Sequence, residues 1–387
     1  MIFTCETKAL AAAMAIAGRV VPQKAHIPII QHVRLATNDD RVTVTGTSMD
    51  TSFQMDVTAS VATEGEVCLP FSTLRDFVGR AKGAEISIEV DGTSATIKSG
   101  RNRIGLMTQP AEDFPDIAPI DGNPVTVDAP AFCHALRFCS AAAATEDAKW
   151  NLRGVWFQES DDGSDFVVAW GTNGSHLHRA QMPFRSIGSG GIVPTEAAAT
   201  ILSIAEKTDT AQVVVAQHGW SVVAGGVRSW GKCVDGQFPD LVKIVNSLGS
   251  WSEVASAEHG DMAEGIDVAA CGADADSDKS RATILDCDPG AEAIIVRGLK
   301  ASAGVSHAGR AEVTASVSAP MKGAFNSAYL RAAMVGLKVP RVAIYTAERA
   351  SDGMRSIQIR PAQDDANVQM EATVMSMRVA DEVLADV

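Results

Sequence analysis

The sequence predicts an α+β protein of three similar units, each with two helices and a mainly antiparallel sheet. Three observations predict it. A β-type run reaching a glycine occurs three times, at Gly46, Gly171 and, more loosely, Gly298, at nearly equal intervals. Phe-Pro-Asp occurs at 114–116 and again at 238–240, in step with the first two glycines. Helix-capping residues Ser72, Thr195 and Asn326 recur at a similar interval, each ahead of a helical run. The period, about a third of a chain of 387 residues, is the size of a domain and far longer than a solenoid unit.

Residues 1–5 read as a short strand. Residues 8–21 follow with Leu10, Met14, Ala17 and Val21 on one helical stripe. A hairpin spans 32–36 and 42–45 around the turn Asn38-Asp39-Asp40. A strand at 67–69 leads to Ser72 as N-cap of a helix bearing Leu74, Phe77 and Val78. Strands at 85–90, 94–98 and 101–107 finish the unit.

The second unit repeats that order. A strand at 125–127 precedes a helix over 129–144, with Phe132, Leu136, Cys139 and Ala143 aligned. Its hairpin is 154–158 and 166–169, and Gly171 opens a turn. A helix from Thr195 and strands at 211–216 and 220–224 follow. In the third unit, 261–271 reads as a poor helix because Gly265 and several acids interrupt it. The hairpin 281–286 and 293–297, the helix 326–337 and strands at 342–346, 356–360 and 373–379 are clear. The unit boundaries fall at 1–122, 123–250 and 251–387.

Composition excludes several classes. A net charge of −14 argues against a generic basic nucleic-acid binder, although cations gathered on one face remain compatible with it. Seven cysteines without a CxxC spacing predict reduced thiols and a cytoplasmic protein. No signal pattern or membrane-length apolar run is present. There is neither a phosphate loop nor a Gly-x-Ser-x-Gly elbow. Asp274, Asp276 and Asp278 imitate the start of a calcium loop, but Lys279 and Leu285 occupy its glycine and glutamate positions. His176 and His178 form an i,i+2 pair without a third zinc ligand. The expectation is a protein with no metal, no cofactor and no catalysis, against a rival hydrolase reading on His176/His178 or Ser306/His307.

Six stretches in order carry a resemblance: Ile27-Pro28-Ile29-Ile30, Ser99-Gly100-Arg101-Asn102-Arg103, and Gln109-Pro110-Ala111-Glu112-Asp113-Phe114-Pro115; then Val234-Asp235-Gly236-Gln237-Phe238-Pro239-Asp240, Phe325-Asn326-Ser327-Ala328-Tyr329-Leu330, and 374–379. With them the chain resembles the bacterial sliding clamp family, the beta subunit of DNA polymerase III, over nearly its whole length. The resemblance implies a DNA clamp fold of three clamp domains and a head-to-tail homodimer ring around duplex DNA. It implies a processivity factor that tethers the replicative polymerase, is opened by a clamp loader, serves other repair or replication proteins, and is nucleoid-associated. It places Lys24, Lys149 and Trp150 at DNA. It places a partner-peptide pocket at Leu152, Thr172, Gly174, His176, Leu177, Pro239, Lys243 and Ile244, completed by Tyr329, Met354, Ser356, Val374, Met375, Ser376, Met377 and Arg378. Flexible methionines suit several partner peptides. It places the dimer interface at Arg101, Arg103, Ile104, Leu106, Asp274 and Ala275.

The chain departs from the family pattern in places. The usual Asp-Gly-His-Arg-Leu is Asn173-Gly174-Ser175-His176-Leu177, and Met-Pro-Met-Arg is Met375-Ser376-Met377-Arg378. Residues 380–387 extend beyond the family's usual end. The facing apolar pair aligns with Asp274-Ala275, and the acidic run over 304–312 keeps only Glu312. Burying an unpaired Asp274 would cost several kcal/mol. That motivates an alternative: a clamp-like adaptor that binds partner peptides without a stable closed ring.

Overall fold

The computed structural model describes residues 1–120, 122–159, 166–184, 186–271, 282–300, 306–348, 355–363 and 368–377. The chain forms two compact units, residues 1–133 with 187–233, and residues 134–186 with 234–387.

The repeat read from the sequence is present in the element order. Strands Ile2–Glu6, Val125–Asp128 and Ser252–Glu258 run directly into helices Thr7–Val20, Ala129–Ser140 and His259–Ala270. Strands Glu66–Pro70, Gly191–Pro194 and Met321–Asn326 run into helices Phe71–Arg80, Thr195–Ala205 and Ser327–Leu337. Apolar periodicity sets the buried face of each helix. Leu10, Ala13, Met14, Ala17 and Val20 bury one stripe of the first, while Lys8 and Arg19 stay exposed.

Four sequence expectations are corrected. The third-repeat stretch expected to be a poor helix is a complete one, and Gly265 is a packing residue in it. A Cβ there would lie 2.6 Å from Val313 Cγ2. The helix expected to reach Ala144 ends at Ser140. Beyond it, Ala142 and Ala143 N–H groups bond three residues back, and the Ala144 N–H turns to the Leu152 carbonyl at 2.9 Å. Of the three caps, only Asn326 acts as one, its side chain accepting from the Ala328 N–H at 2.9 Å. Pro70 and Pro194 hold the other two cap positions, with Ser72 and Thr195 inside the helices.

The repeat glycines do not open turns, as the sequence suggested for Gly171; they lie within strands Arg41–Thr47, Val167–Thr172 and Ala293–Lys300. They are there because each strand passes the end of its repeat's first helix. A Cβ on Gly171 would lie 1.8 Å from the Cys139 carbonyl oxygen, and one on Gly298 1.9 Å from that of Ala269. At Gly46 the obstacles are side chains, Phe53 Cε1 at 2.5 Å and Val21 Cγ2 at 2.8 Å.

The strand register repeats with equal fidelity. Four residues before each first helix a row of paired residues begins. The rows are Phe3–Ile88–Ile97–Ile104, Val125–Val213–Val222–Ser229, and Ala255–Ile344–Ile359–Ala372. The second row continues through Phe53 to Gly46, and the third through His178 to Gly171. Each of these two rows thus ends on the glycine of the preceding repeat. Phe53, His178 and Gly309 are equivalent, since Gly309 pairs with Gly298.

Candidate functional site

In the second unit, strands Val167–Thr172 and His176–Met182 are joined by the turn Asn173-Gly174-Ser175. Side chains close this turn. Thr172 Oγ1 donates to the His176 carbonyl at 2.7 Å and accepts from the Gly174 N–H at 3.0 Å. Gly174 sits at φ 88°, in the left-handed region that favours glycine. Asn173 Oδ1 accepts from the N–H groups of Ser175 and His176 and stands 2.9 Å from His176 Nδ1. That oxygen can only accept, so His176 carries its proton on Nδ1 and leaves Nε2 bare.

His178, two residues on, is built the same way. Its Nδ1 donates to the Phe138 carbonyl at 2.7 Å, and its ring stacks on Phe138 at 4.3 Å. His176 stacks on Tyr329 at 4.0 Å and meets His178 edge-on at 5.5 Å. Neither Nε2 has a hydrogen-bond partner. A proton there would bury a charge and an unmet donor. Burial therefore pushes His176 down to about 3, with the neighbouring His178 adding to the shift. Burial lowers His178 to about 4, opposed by its bond to the Phe138 carbonyl. Both rings are neutral at neutral pH. Among the described residues, no group of three or more His, Cys, Asp or Glu could hold a metal ion.

The turn forms one wall of a cavity of about 790 Å³. The other walls are the stretch from Ala141 to Lys149, the helix start at Asn326, Ala328, Tyr329 and Ala332, and the terminal Met375, Ser376 and Met377. Of the residues the resemblance named for a peptide pocket, this cavity brings together Gly174, His176, Tyr329, Met375, Ser376 and Met377. Others stand behind its walls. Val374 is fully buried opposite His176, and Leu177 is buried opposite Thr373. Ser356 Oγ donates to Met375 Sδ at 3.2 Å. Leu152 anchors the 141–144 stretch through its carbonyl. Pro239, Lys243 and Ile244 do not line the cavity. They border or belong to helix Leu241–Ser247, which Asp240 caps by accepting from the Lys243 N–H at 2.9 Å. Met354 and Arg378 lie outside the described residues. The wall at Ala141, Ala143, Ala144 and Glu146 was illegible in the sequence because the alanine run read as more helix.

Of the residues named for DNA, Lys24 is exposed on the loop after the first helix. Lys149 lines the cavity wall: its Nζ donates to the Asn173 carbonyl at 2.8 Å and lies 3.8 Å from Glu146. Trp150 is 53% exposed and lies over Gly236, where a Cβ would come within 2.5 Å of the indole.

Of the residues the resemblance named for an interface, Arg103, Ile104 and Leu106 lie on an edge strand, with Arg101 just before it. Asn102–Met107 pairs with Ser94–Ser99 and ends its sheet. Arg101 and Arg103 are exposed, Ile104 is half-buried, and Leu106 is buried in its own unit's core. Strand Ser306–Val317 pairs with Ala293–Lys300 on one edge, and only its last residues meet Ser252–Glu258. The other edge of 306–314 has no partner among the described residues. Asp274 and Ala275 lie outside them.

Comparison with known proteins places this geometry. Residues 1–118 match the family described as DNA polymerase III beta subunit, N-terminal domain. The chain is 26% identical over 315 residues to the beta sliding clamp of Caulobacter vibrioides (strain NA1000 / CB15N), covering 79% of this chain and 83% of that one. It is 26% identical over 251 residues to the beta sliding clamp of Rickettsia bellii, covering 62% of this chain and 65% of that protein. In structure it is similar to the C. crescentus beta sliding clamp, with a TM-score of 0.85 at 23% identity over 98% of this chain and 99% of that one. It is similar also to the DNA polymerase III subunit beta of Pseudomonas aeruginosa, with a TM-score of 0.85 at 20% identity, covering 98% and 100%. The structural likenesses establish the fold.

Proposed function

We propose the function of this chain from one premise: it belongs to the bacterial beta sliding clamp family. It is a DNA polymerase processivity factor, a clamp that keeps a polymerase on duplex DNA. Its role is to hold, and the reading assigns it no catalytic step.

The observation that carries the ring is the unfinished strand register. Two rows run from one repeat into the glycine of the preceding repeat, and the first-repeat row stops at Ile104. The third-repeat pair Gly298–Gly309 has no row arriving among the described residues. Each chain therefore has one row short at each end. Joining the two ends of different copies completes every row and leaves no edge, which is a heterologous, closing contact. Two copies of three repeats make the ring, with domains at 1–122, 123–250 and 251–387.

The internal junctions supply the register of that contact. Ile104 is equivalent to Ser229 and Ala372, whose partners are Phe53 and His178. Ile104 therefore meets Gly309 of the second copy. Arg103 then faces Arg310, Asn102 faces Ala311, and Arg101 faces Glu312. Glu312, the one acid left in the family's acidic run, already pairs with Arg310 at 3.3 Å within its own chain. This strand pairing supports the closed ring over the open adaptor.

Duplex DNA is held topologically and by weak phosphate attraction. Helix Thr7–Val20 carries Lys8 and Arg19 and no acid, and exposed Lys24 follows it. This local basic surface, in a chain of net charge −14, supports a DNA-facing role for Lys24. The cavity beside His176 and Tyr329 takes partner peptides, from polymerase, clamp loader and repair proteins alike.

Retention on DNA tests the whole reading. Protein loaded on nicked circular duplex should stay bound through high salt and fall off when the circle is linearised. Equal retention on circular and linear DNA would refute topological holding. Lys24→Glu should reduce the slope of log affinity against log salt by about one phosphate contact.

A further inference from the structure

A second cavity lies at the opposite end of the strand that borders the first. It encloses about 460 Å³ between Asp286, Cys287, Asp288, Arg297, Lys322 and Arg355, among others. Cations outnumber acids among its described lining residues. Asp286 is shared by Arg297 at 3.7 Å and Lys322 at 3.6 Å. Asp288 is committed to a turn, its Oδ1 accepting from the Gly290 N–H at 2.9 Å. Arg355 is half-buried and lines the same cavity, with Glu348 opposite it on the neighbouring strand. Three cations thus face two acids, in a chain that is strongly acidic overall. A half-buried guanidinium offers up to five donors, more than one carboxylate takes up, to whatever enters.

The two cavities are tied to one scaffold. Lys322 and Asn326 lie four residues apart on strand Met321–Asn326, on the same face by its two-residue period, so about 13 Å separates them. Lys322 lines the charged cavity and Asn326 the larger one. Between them, the Ala324 carbonyl accepts from the Met377 N–H at 2.8 Å, and the Arg355 carbonyl accepts from the Ser376 N–H at 3.1 Å. Both ends of the path are therefore fixed by the same backbone bonds.

We infer that the Arg297–Lys322–Arg355 cavity is an electrostatic subsite for an acidic residue of the peptide whose apolar part fills the cavity beside Tyr329, about four extended residues away. This rests on the peptide-docking reading above. The carboxylate meets Arg355 and Lys322, and the Asp286 pairs hold the cationic side chains in place.

The test uses the full-length protein and three kinds of labelled peptide in a fluorescence-anisotropy titration. The first is a polymerase C-terminal tail. The others are the same tail extended, on either end in turn, by Gly-Ser-Gly-Ser followed by Asp-Asp, each with an Asn-Asn control. One Asp-Asp peptide should bind threefold to tenfold more tightly than its Asn-Asn control. Arg355→Gln or Lys322→Gln should abolish that difference and leave the unextended tail unaffected, and high salt should also abolish it. Equal binding of both Asp-Asp peptides and their controls would overturn the subsite. So would equal weakening of every peptide by Arg355→Gln. Met377→Asp separates the two readings, because it should weaken all the peptides. If it weakens none, or the tail does not bind at all, the docking cavity itself is misassigned.

Discussion

Gly171→Ala should be among the most damaging single-methyl additions in this chain. The new Cβ would stand 1.8 Å from the Cys139 carbonyl oxygen and 2.7 Å from its carbon, where ordinary contact begins near 3.4 Å. Either the strand or the helix end must move to relieve that overlap. Every residue of Val167–Thr172 is buried, so the strand has little room to yield. The obstacle is backbone and cannot rotate away. A cost of about 3–5 kcal/mol is expected, at the exceptional end for one substitution. Gly298→Ala meets Ala269 at 1.9 Å and should cost the same. Gly46→Ala meets only side chains and should cost about 1–3 kcal/mol. Gly79→Ala, with nothing within 4 Å in helix Phe71–Arg80, should stabilise by about 0.5–1 kcal/mol. Urea unfolding followed by tryptophan fluorescence reads these differences, with Trp170 buried beside the first site. If Gly171→Ala fell within about 1 kcal/mol of the parent, the close passage of strand and helix would be wrong.

Two further substitutions test the register of the contact between copies. Arg101→Glu, facing Glu312, should weaken dimerisation severalfold. Arg103→Glu, facing Arg310, should tighten it by rebuilding the Glu371–Arg179 pair seen at 3.8 Å in the equivalent internal junction. Sedimentation across a dilution series measures both, and effects of the same sign would contradict the register. Acid stability follows from the buried histidines. An unfolded histidine titrates near 6.5, whereas His178 in the fold titrates near 4. Between those values the unfolded chain takes up a proton that the folded chain refuses. Stability is thus full above about pH 6.5 and falls as pH drops toward 4, by about 3 kcal/mol for this residue. His178→Phe keeps the stack on Phe138 and should flatten that slope in a pH series of urea melts. An unchanged slope would clear His178 of the effect.

The sequence revealed the repeat because its markers are backbone requirements. Gly171 and Gly298 tolerate no side chain where the strand passes a helix carbonyl, so these glycines recur in step, whereas of the cap markers only Asn326 makes a capping bond. What the glycines do was not legible, since a close helix carbonyl and a turn call for the same residue. Gly265 misled for a related reason: helix propensity counted it as a break, whereas tertiary packing against Val313 demanded it. The strand Thr51–Thr63, which joins the repeats, went unread because its alternation is diluted by threonine and serine. At the cavity, Tyr329, His176 and the methionines were legible by resemblance, whereas the alanine wall was not. Lys149 was named by resemblance for DNA alone, and its bond to the Asn173 carbonyl, which ties it to the cavity wall, had no signal in the sequence.

Covalent capture of the ring tests the central claim most directly. Residues directly opposite in an antiparallel pair have Cα atoms about 4.5–5.5 Å apart, within disulfide range. Arg103→Cys with Arg310→Cys should therefore cross-link between copies on mild oxidation, with exposed Cys271 replaced by serine to silence it. A closed ring of two predicts one product of twice the 40.5 kDa chain mass, carrying two disulfides and giving no larger species. Monomer alone, or a ladder of ever longer multimers, would contradict it.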